Sequence, residues 1–360
     1  MKQHTGWLVI AGFGVFAVLA LAWIAENRTV RVGFDIVLSA DVSSAEIEHA
    51  ARERIRAVGA AAAYEEFAAA VETLAPAEQH TYAHVFGATL FDEEDLKGVV
   101  VCDARFSYGC YHEFLGRAIA AHGLEVVPEL NDGCTRALVS SPLSCQHGIG
   151  HGIAAYLGYG EDDLRKALET CRGLPHNDPI GGCYGGVFME YNLRTMLGEE
   201  AQVREVKSET YGAYEPCRSL PSEYVTACVF WQPQWWQQAL FGAETHERVF
   251  HEMGTYCREM NRASADLTRT CFEGIGNITA MAAEFDAHRA ARLCDATSER
   301  PLDRLFCRSY AANSLTVGGS GMRGDGEAVC EGLSVESLAY CTAYARNEAN
   351  IMQGIGPPSL

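Results

Sequence analysis

Five of the twelve histidines in this 360-residue chain stand where metal chemistry needs them. His80 and His84 are four residues apart, as are His147 and His151, so on a helix each pair shares one face. Two neutral imidazole nitrogens one turn apart can take one metal ion. A third ligand from a neighbouring helix would leave a coordination position open to water; His112, Glu113, Glu190 and Glu273 are the candidates. Water bound to zinc has its pKa lowered to about 7, which supplies hydroxide as a nucleophile. Copper and iron also accept imidazole, so these residue types leave zinc, copper and iron open. Glu190 and Glu273 are the candidate catalytic carboxylates. Glu190 follows Phe188-Met189, where a buried carboxylate needs a partner, and it is the candidate general base.

A plainer reading stands beside this one. Histidines at i and i+4 arise by chance on many helices. On an inward face they can serve only to hydrogen-bond carbonyls or Asn277, Asn313 and Asn347. The glycines of His147-Gly148-Ile149-Gly150-His151-Gly152 then report close helix packing. What favours a site is that the histidines keep step with a repeat.

That repeat is written in cysteine. Residues 1–101 hold none; the fourteen then fall at 102, 110, 134, 145, 171, 183, 217, 228, 257, 271, 294, 307, 330 and 341. Short gaps of 8–14 alternate with long gaps of 23–34, without overlap. The second cysteine of each pair recurs every 34–45 residues, a period that suits a pair of helices with their connections. Pro76, Pro142, Pro221 and Pro301 sit where a helix first turn tolerates proline. No run of alternating Val, Ile and Thr competes, so the chain is expected to be all-α: tandem helical hairpins (α/α repeats), about eight units. The first of these begins with a long Ala/Glu-rich helix from Ser44 to Leu74. The stack is expected to form a superhelix or a closed α/α toroid.

Pairing within each short gap gives Cys102–Cys110, Cys134–Cys145, Cys171–Cys183, Cys217–Cys228, Cys257–Cys271, Cys294–Cys307 and Cys330–Cys341. Each bond would tie the end of an outer helix to the start of an inner one. Closing a loop of that size contributes ~2–3 kcal/mol. No C-x-x-C occurs, which leaves zinc ribbons and thioredoxin-type chemistry without support. Counted from the second cysteine, positions +2 and +6 share a face; they carry His112, His147, His151, Glu273, Asn277, Ser309, Asn313 and Asn347, with Gly116, Gly185, Met189 and Ala343 between them and a departure at Phe230 and Gln234. His80 and His84 fit the same register in an upstream unit without cysteine. Stacked hairpins would line these residues along one hollow. In its staples alone the chain resembles the Sel1-like helical repeats, whose internal Ala/Gly/Tyr pattern it lacks, so the resemblance implies architecture and no activity.

Trp7 to Ala25 is a run of 19 residues without a polar side chain, long enough to span roughly 28 Å as a helix. It is read as a transmembrane anchor, with an uncleaved signal sequence, or a cleaved one ending in Ala20-Leu21-Ala22, as the alternative. Residues 1–6 form a tail, 26–43 a juxtamembrane link, 44–353 the repeat domain and 354–360 a C-terminal tail. The cysteines place the repeat domain in an oxidising compartment, the periplasm or cell exterior. A net charge of −19 argues against a nucleic-acid partner. Gly181-Gly182-Cys183-Tyr184-Gly185-Gly186 lacks the spacing of a phosphate loop, and neither G-x-S-x-G nor H-E-x-x-H is present. Trp231, Trp235 and Trp236 are expected to pack. Asn27 and Asn277 match the glycosylation pattern, the second on the proposed inner face.

The functional expectation is a membrane-anchored extracytoplasmic repeat protein with a metal site at His80, His84, His112, His147 and His151. If it is an enzyme, it is a metal-dependent hydrolase or oxidase acting on a small or peptidic substrate. The alternative is a non-enzymatic scaffold holding a peptide or an envelope protein on its concave face. A metal site requires the imidazoles to converge within about 4–5 Å; a scaffold would leave them dispersed.

Overall fold

The computed structural model describes residues 42–137, 142–175, 178, 180–196, 203–204, 212–261, 263–317 and 326–346. The expected anchor at 7–25, most of the link, Asn27, Asn347 and the C-terminal tail lie outside them. No helix among the described residues is long and apolar enough to cross a membrane.

The chain divides after Thr73. In the N-terminal unit, α1 (Ser44–Val58) and α2 (Ala60–Val71) pack on each other. The single helix expected from Ser44 to Leu74 is broken at Gly59, whose φ of +85° suits glycine and turns the chain back. Ser43 and Glu46 form a capping box on α1. Ile47, Ala51 and Ile55 on α1, and Ala63, Phe67 and Val71 on α2, are buried at helical spacing. Arg54 grips Glu66 with two hydrogen bonds of 2.7 and 2.6 Å.

The second unit is all-α among its described residues. Its helices are α3 (Pro76–Glu94), α4 (Gly109–His122), α5 (Val127–Ala137), α6 (Pro142–Leu157), α7 (Glu161–Arg172), α8 (Cys183–Asn192), α9 (Ser222–Trp235), α10 (Glu247–Met260), α11 (Ala265–Ala282), α12 (Ala287–Ala296), α13 (Pro301–Val317) and α14 (Val335–Ala345). Eight of them form one inner row in which each packs on the next: α3, α4, α6, α8, α9, α11, α13 and α14. Pro76, Pro142 and Pro301 open α3, α6 and α13, and Pro221 precedes α9.

All seven disulfides join the residues paired above, with Cα atoms 5.4–5.7 Å apart. Each ties an outer element to the first turns of an inner helix. Four outer elements are the α-helices α5, α7, α10 and α12. The other three, which the repeat led us to expect as helices, are shorter. Cys102 follows a 3-10 turn (Asp95–Val100), Cys217 lies in turns, and Cys330 ends a 3-10 turn (Gly326–Cys330). The outer element has only to bring one sulfur to the row, so its length is free to vary. Seven disulfides and no free cysteine fit an oxidising, extracytoplasmic location.

Candidate metal centre

The inner row brings all five histidines together. His80 and His84 lie on α3, His112 on α4, and His147 and His151 on α6. Two groups form, His80–His84–His112 and His112–His147–His151, and in each the potential ligand atoms lie within 4.8 Å of one another. His112 belongs to both. Its ring centroid is 5.7 and 5.6 Å from those of His80 and His84, and 6.0 and 4.9 Å from those of His147 and His151.

Backbone contact between inner helices makes this approach possible. A Cβ on Gly186 of α8 would lie 1.9 Å from the carbonyl oxygen of His147, and one on Gly150 of α6 would lie 2.1 Å from that of Cys183. Only hydrogen fits at either position. The two helices therefore touch along their backbones, and Glu190 on α8 reaches His151 on α6.

Within each pair the outer nitrogens are turned toward oxygen. His80 donates Nδ1–H to the carbonyl of Phe106 at 2.7 Å. His84 turns Nδ1 toward the Glu113 carboxylate, 3.6 Å away. His151 donates Nδ1–H to Glu190 Oε2 at 2.9 Å, and His147 has the Gly182 carbonyl as its acceptor. A neutral imidazole has one N–H, so donation through Nδ1 leaves the Nε2 nitrogens of His80 and His151 with lone pairs, toward which the paired rings turn their own Nε2. Those nitrogens face each other: Nε2 of His80 and His84 are 3.1 Å apart, and Nε2 of His147 and His151 are 3.3 Å apart. Ligand nitrogens about 2.0–2.1 Å from a tetrahedral ion are themselves about 3.3–3.4 Å apart. Without an ion each contact is a hydrogen bond between rings; with both Nε2 atoms unprotonated, the same spacing suits a cation taking two lone pairs.

His80, His112 and His147 are held in the neutral form that ligation requires. Burial, with the charges of neighbouring histidines, holds His147 at about 3 and His80 at about 4, and carries His112 well below the ordinary imidazole value.

Glu190 is fully buried and spends its carboxylate on the protein. It accepts from His151 Nδ1, from the Tyr159 hydroxyl at 2.9 Å, from the Thr195 hydroxyl at 2.7 Å and from the Thr195 amide at 3.1 Å. Burial pushes its carboxyl up, but the bonds from His151, Thr195 and Tyr159 outweigh that and hold it below the usual range. Glu113 and Glu190 thus sit behind the imidazoles, at their Nδ1 edges. Glu273, on α11, joins neither histidine group. It accepts from Arg269 Nε at 2.7 Å and from the Tyr344 hydroxyl at 3.1 Å.

The remaining residues of the predicted face divide. Asn313 donates to the Tyr344 carbonyl at 2.9 Å, Asn277 accepts from Ser314 at 3.4 Å, and Ser309 is buried. Trp235 and Trp236 are buried, with their N–H groups on the Arg204 and Ala213 carbonyls. Trp231, expected to pack like them, instead places its ring 5.4 Å from His147 and donates to the Ile180 carbonyl at 3.2 Å. The Phe106 carbonyl was not foreseen. It is delivered by Phe106, Ser107 and Tyr108, three successive residues with φ of 57°, 51° and 62°. Left-handed backbone at three non-glycine residues costs about 1 kcal/mol or more at each, and nothing in Arg105-Phe106-Ser107-Tyr108 announces it. Tyr159 and Thr195 were missed as well, since hydroxyl groups on loops carry no spacing signal.

Comparison of the chain with protein-family models, with curated protein sequences and with solved structures gives no match, so the reading of the centre rests on its own geometry.

Proposed function

We propose that the protein is an extracytoplasmic metal-binding protein whose metal ligands are drawn from His80, His84, His112, His147 and His151. The observation that carries this is the pair of Nε2···Nε2 approaches, 3.1 and 3.3 Å, between imidazoles whose other nitrogens are directed at oxygen acceptors. Glu113 and Glu190 would orient His84 and His151 from behind and raise their basicity, the usual partnership of a carboxylate with a ligating histidine. The ligands are neutral nitrogens without thiolate, which fits zinc, copper or iron. With three nitrogens and an open position, the ion would activate water or dioxygen, so metal-dependent hydrolysis or oxidation of a small or peptidic substrate is the chemistry proposed. Convergence of the imidazoles favours this reading over the scaffold, which asks for dispersed histidines. Tethering through residues 7–25 belongs to the same proposal.

The test is elemental analysis of tag-free protein purified from an oxidising compartment without chelators. A transition metal that co-purifies, and is lost in the His80→Ala/His147→Ala double variant while the seven disulfides stay intact, is the expected result. Absence of any transition metal, even after incubation with zinc and with copper, would remove the reading.

A further inference from the structure

We propose that His112 is a bridging ligand, so that the centre takes two transition-metal ions, one at His80–His84 and one at His147–His151. The inference rests on the metal-binding reading above and adds to it the number of ions and the role of one imidazole.

Three observations carry it. First, both three-histidine groups need His112 for their third member. Second, the other four rings each have an oxygen partner: Phe106, Glu113, Gly182 and Glu190. His112 alone makes no hydrogen bond among the described residues, although it is 7% exposed. An imidazole with neither nitrogen engaged by the described protein groups is what a ligand that must use both nitrogens requires. Third, the ring separations suit two ions. Three imidazoles ligating one ion at about 2.0–2.1 Å place their centroids roughly 5.2–5.5 Å apart. The first group shows 4.6, 5.7 and 5.6 Å, and the second 5.0, 6.0 and 4.9 Å. An imidazole bound through both nitrogens holds its ions about 6 Å apart. One ion cannot satisfy both pairs, because no set containing all five histidines falls within ligand distance.

The proton balance is simple. Neutral His112 gives its lone-pair nitrogen to the first ion. Binding of the second ion displaces the remaining ring proton to solvent and leaves an imidazolate. Its negative charge offsets part of the charge brought into the buried centre. Each ion then has two Nε2 ligands, one nitrogen of His112, and a position for an exogenous oxygen ligand.

Copper(II) alone is the probe. Tag-free protein is titrated with it, and bound copper and the electron paramagnetic resonance signal are measured on the same samples. Two coppers per chain are expected, with the doublet signal integrating to far less than the bound copper because spins bridged by one imidazolate couple. His80→Ala keeps the His112–His147–His151 group and is expected to bind one copper with full doublet intensity. His112→Ala is expected to lose the coupling; should it fail to fold, His80→Ala and the wild-type spin count still decide. One copper per chain in the wild type, or two with undiminished doublet intensity, overturns the bridge and leaves the metal reading standing. No copper bound at all overturns both.

Discussion

In the first half of the inner row, the second residue after the junction cysteine is His112 on α4 and His147 on α6; in the second half it is Glu273 on α11 and Ser309 on α13. The repeat puts these side chains in equivalent places, and their surroundings differ in what they complete. Glu273 is met by Arg269 and by the Tyr344 hydroxyl. Burial pushes the Glu273 carboxyl up, and the guanidinium beside it only partly offsets this, while the Tyr344 hydroxyl is driven up by burial and by Glu273. That half carries its own cation. The histidine half instead turns Nε2 atoms toward one another and lines the outer ring edges with carbonyls and carboxylates. The same helical register thus yields a closed ion pair at one end and, at the other, an arrangement that a cation from solution would complete.

The comparison can be broken most severely at the helix contact. Gly186→Ala puts a methyl group against the His147 carbonyl. Prising α6 from α8 is expected to cost about 3 kcal/mol or more and to weaken metal binding at His147 and His151. Gly212→Ala, at a position where a Cβ meets nothing within 4 Å, is the control expected to leave both unchanged. Denaturant melts with metal analysis of the folded fraction check both. Removing the Cys171–Cys183 staple, which anchors the start of α8, is expected to cost about 2–4 kcal/mol and to act on metal affinity only through stability. Calorimetry on the double serine variant measures it.

Glu190 and Glu273 sharpen the contrast. Glu190→Gln keeps the shape but removes the charge behind His151, and is expected to weaken metal affinity about 10–100-fold. Glu273→Gln is expected to leave affinity unchanged and to lower stability by about 1–3 kcal/mol. Competition titration with a chromophoric chelator separates the two; equal effects on affinity would show the halves to be coupled.

A further contrast lies in pH dependence. His147 and His80 have folded values near 3 and 4, below the unfolded imidazole value of about 6.5. The unfolded chain therefore binds more protons than the folded chain between those limits. Their contribution is fully present above about pH 6.5 and is lost as pH falls toward 4. Metal-free protein should show a falling Tm over that window, less steeply in the His80→Ala/His147→Ala double variant, and calorimetry across pH 7 to 4 reads the difference.

Much of this was legible in the sequence, for physical reasons. A disulfide that closes a short loop leaves its spacing in the chain, so the cysteine alternation gave the staples and the pairing. Histidines one helical turn apart are legible because α-helix geometry forces them onto one face. Their convergence followed from the shared register with the cysteines. The position of Glu190 could be anticipated, but its orientation could not: whether a carboxylate meets Nδ1 or Nε2 depends on helix separation, set here by Gly150 and Gly186. The left-handed run at Phe106–Tyr108 was invisible because none of its residues favours that conformation. The break at Gly59 was missed because Ala-rich flanks read as one continuous helix.

X-ray absorption spectroscopy on zinc-loaded, tag-free protein tests the central claim most directly. The expected spectrum has a first shell of nitrogen or oxygen near 2.0–2.1 Å with the outer-shell scattering of several imidazoles and no sulfur. A first shell of oxygen without imidazole scattering, or zinc that washes away before the spectrum can be taken, would contradict it.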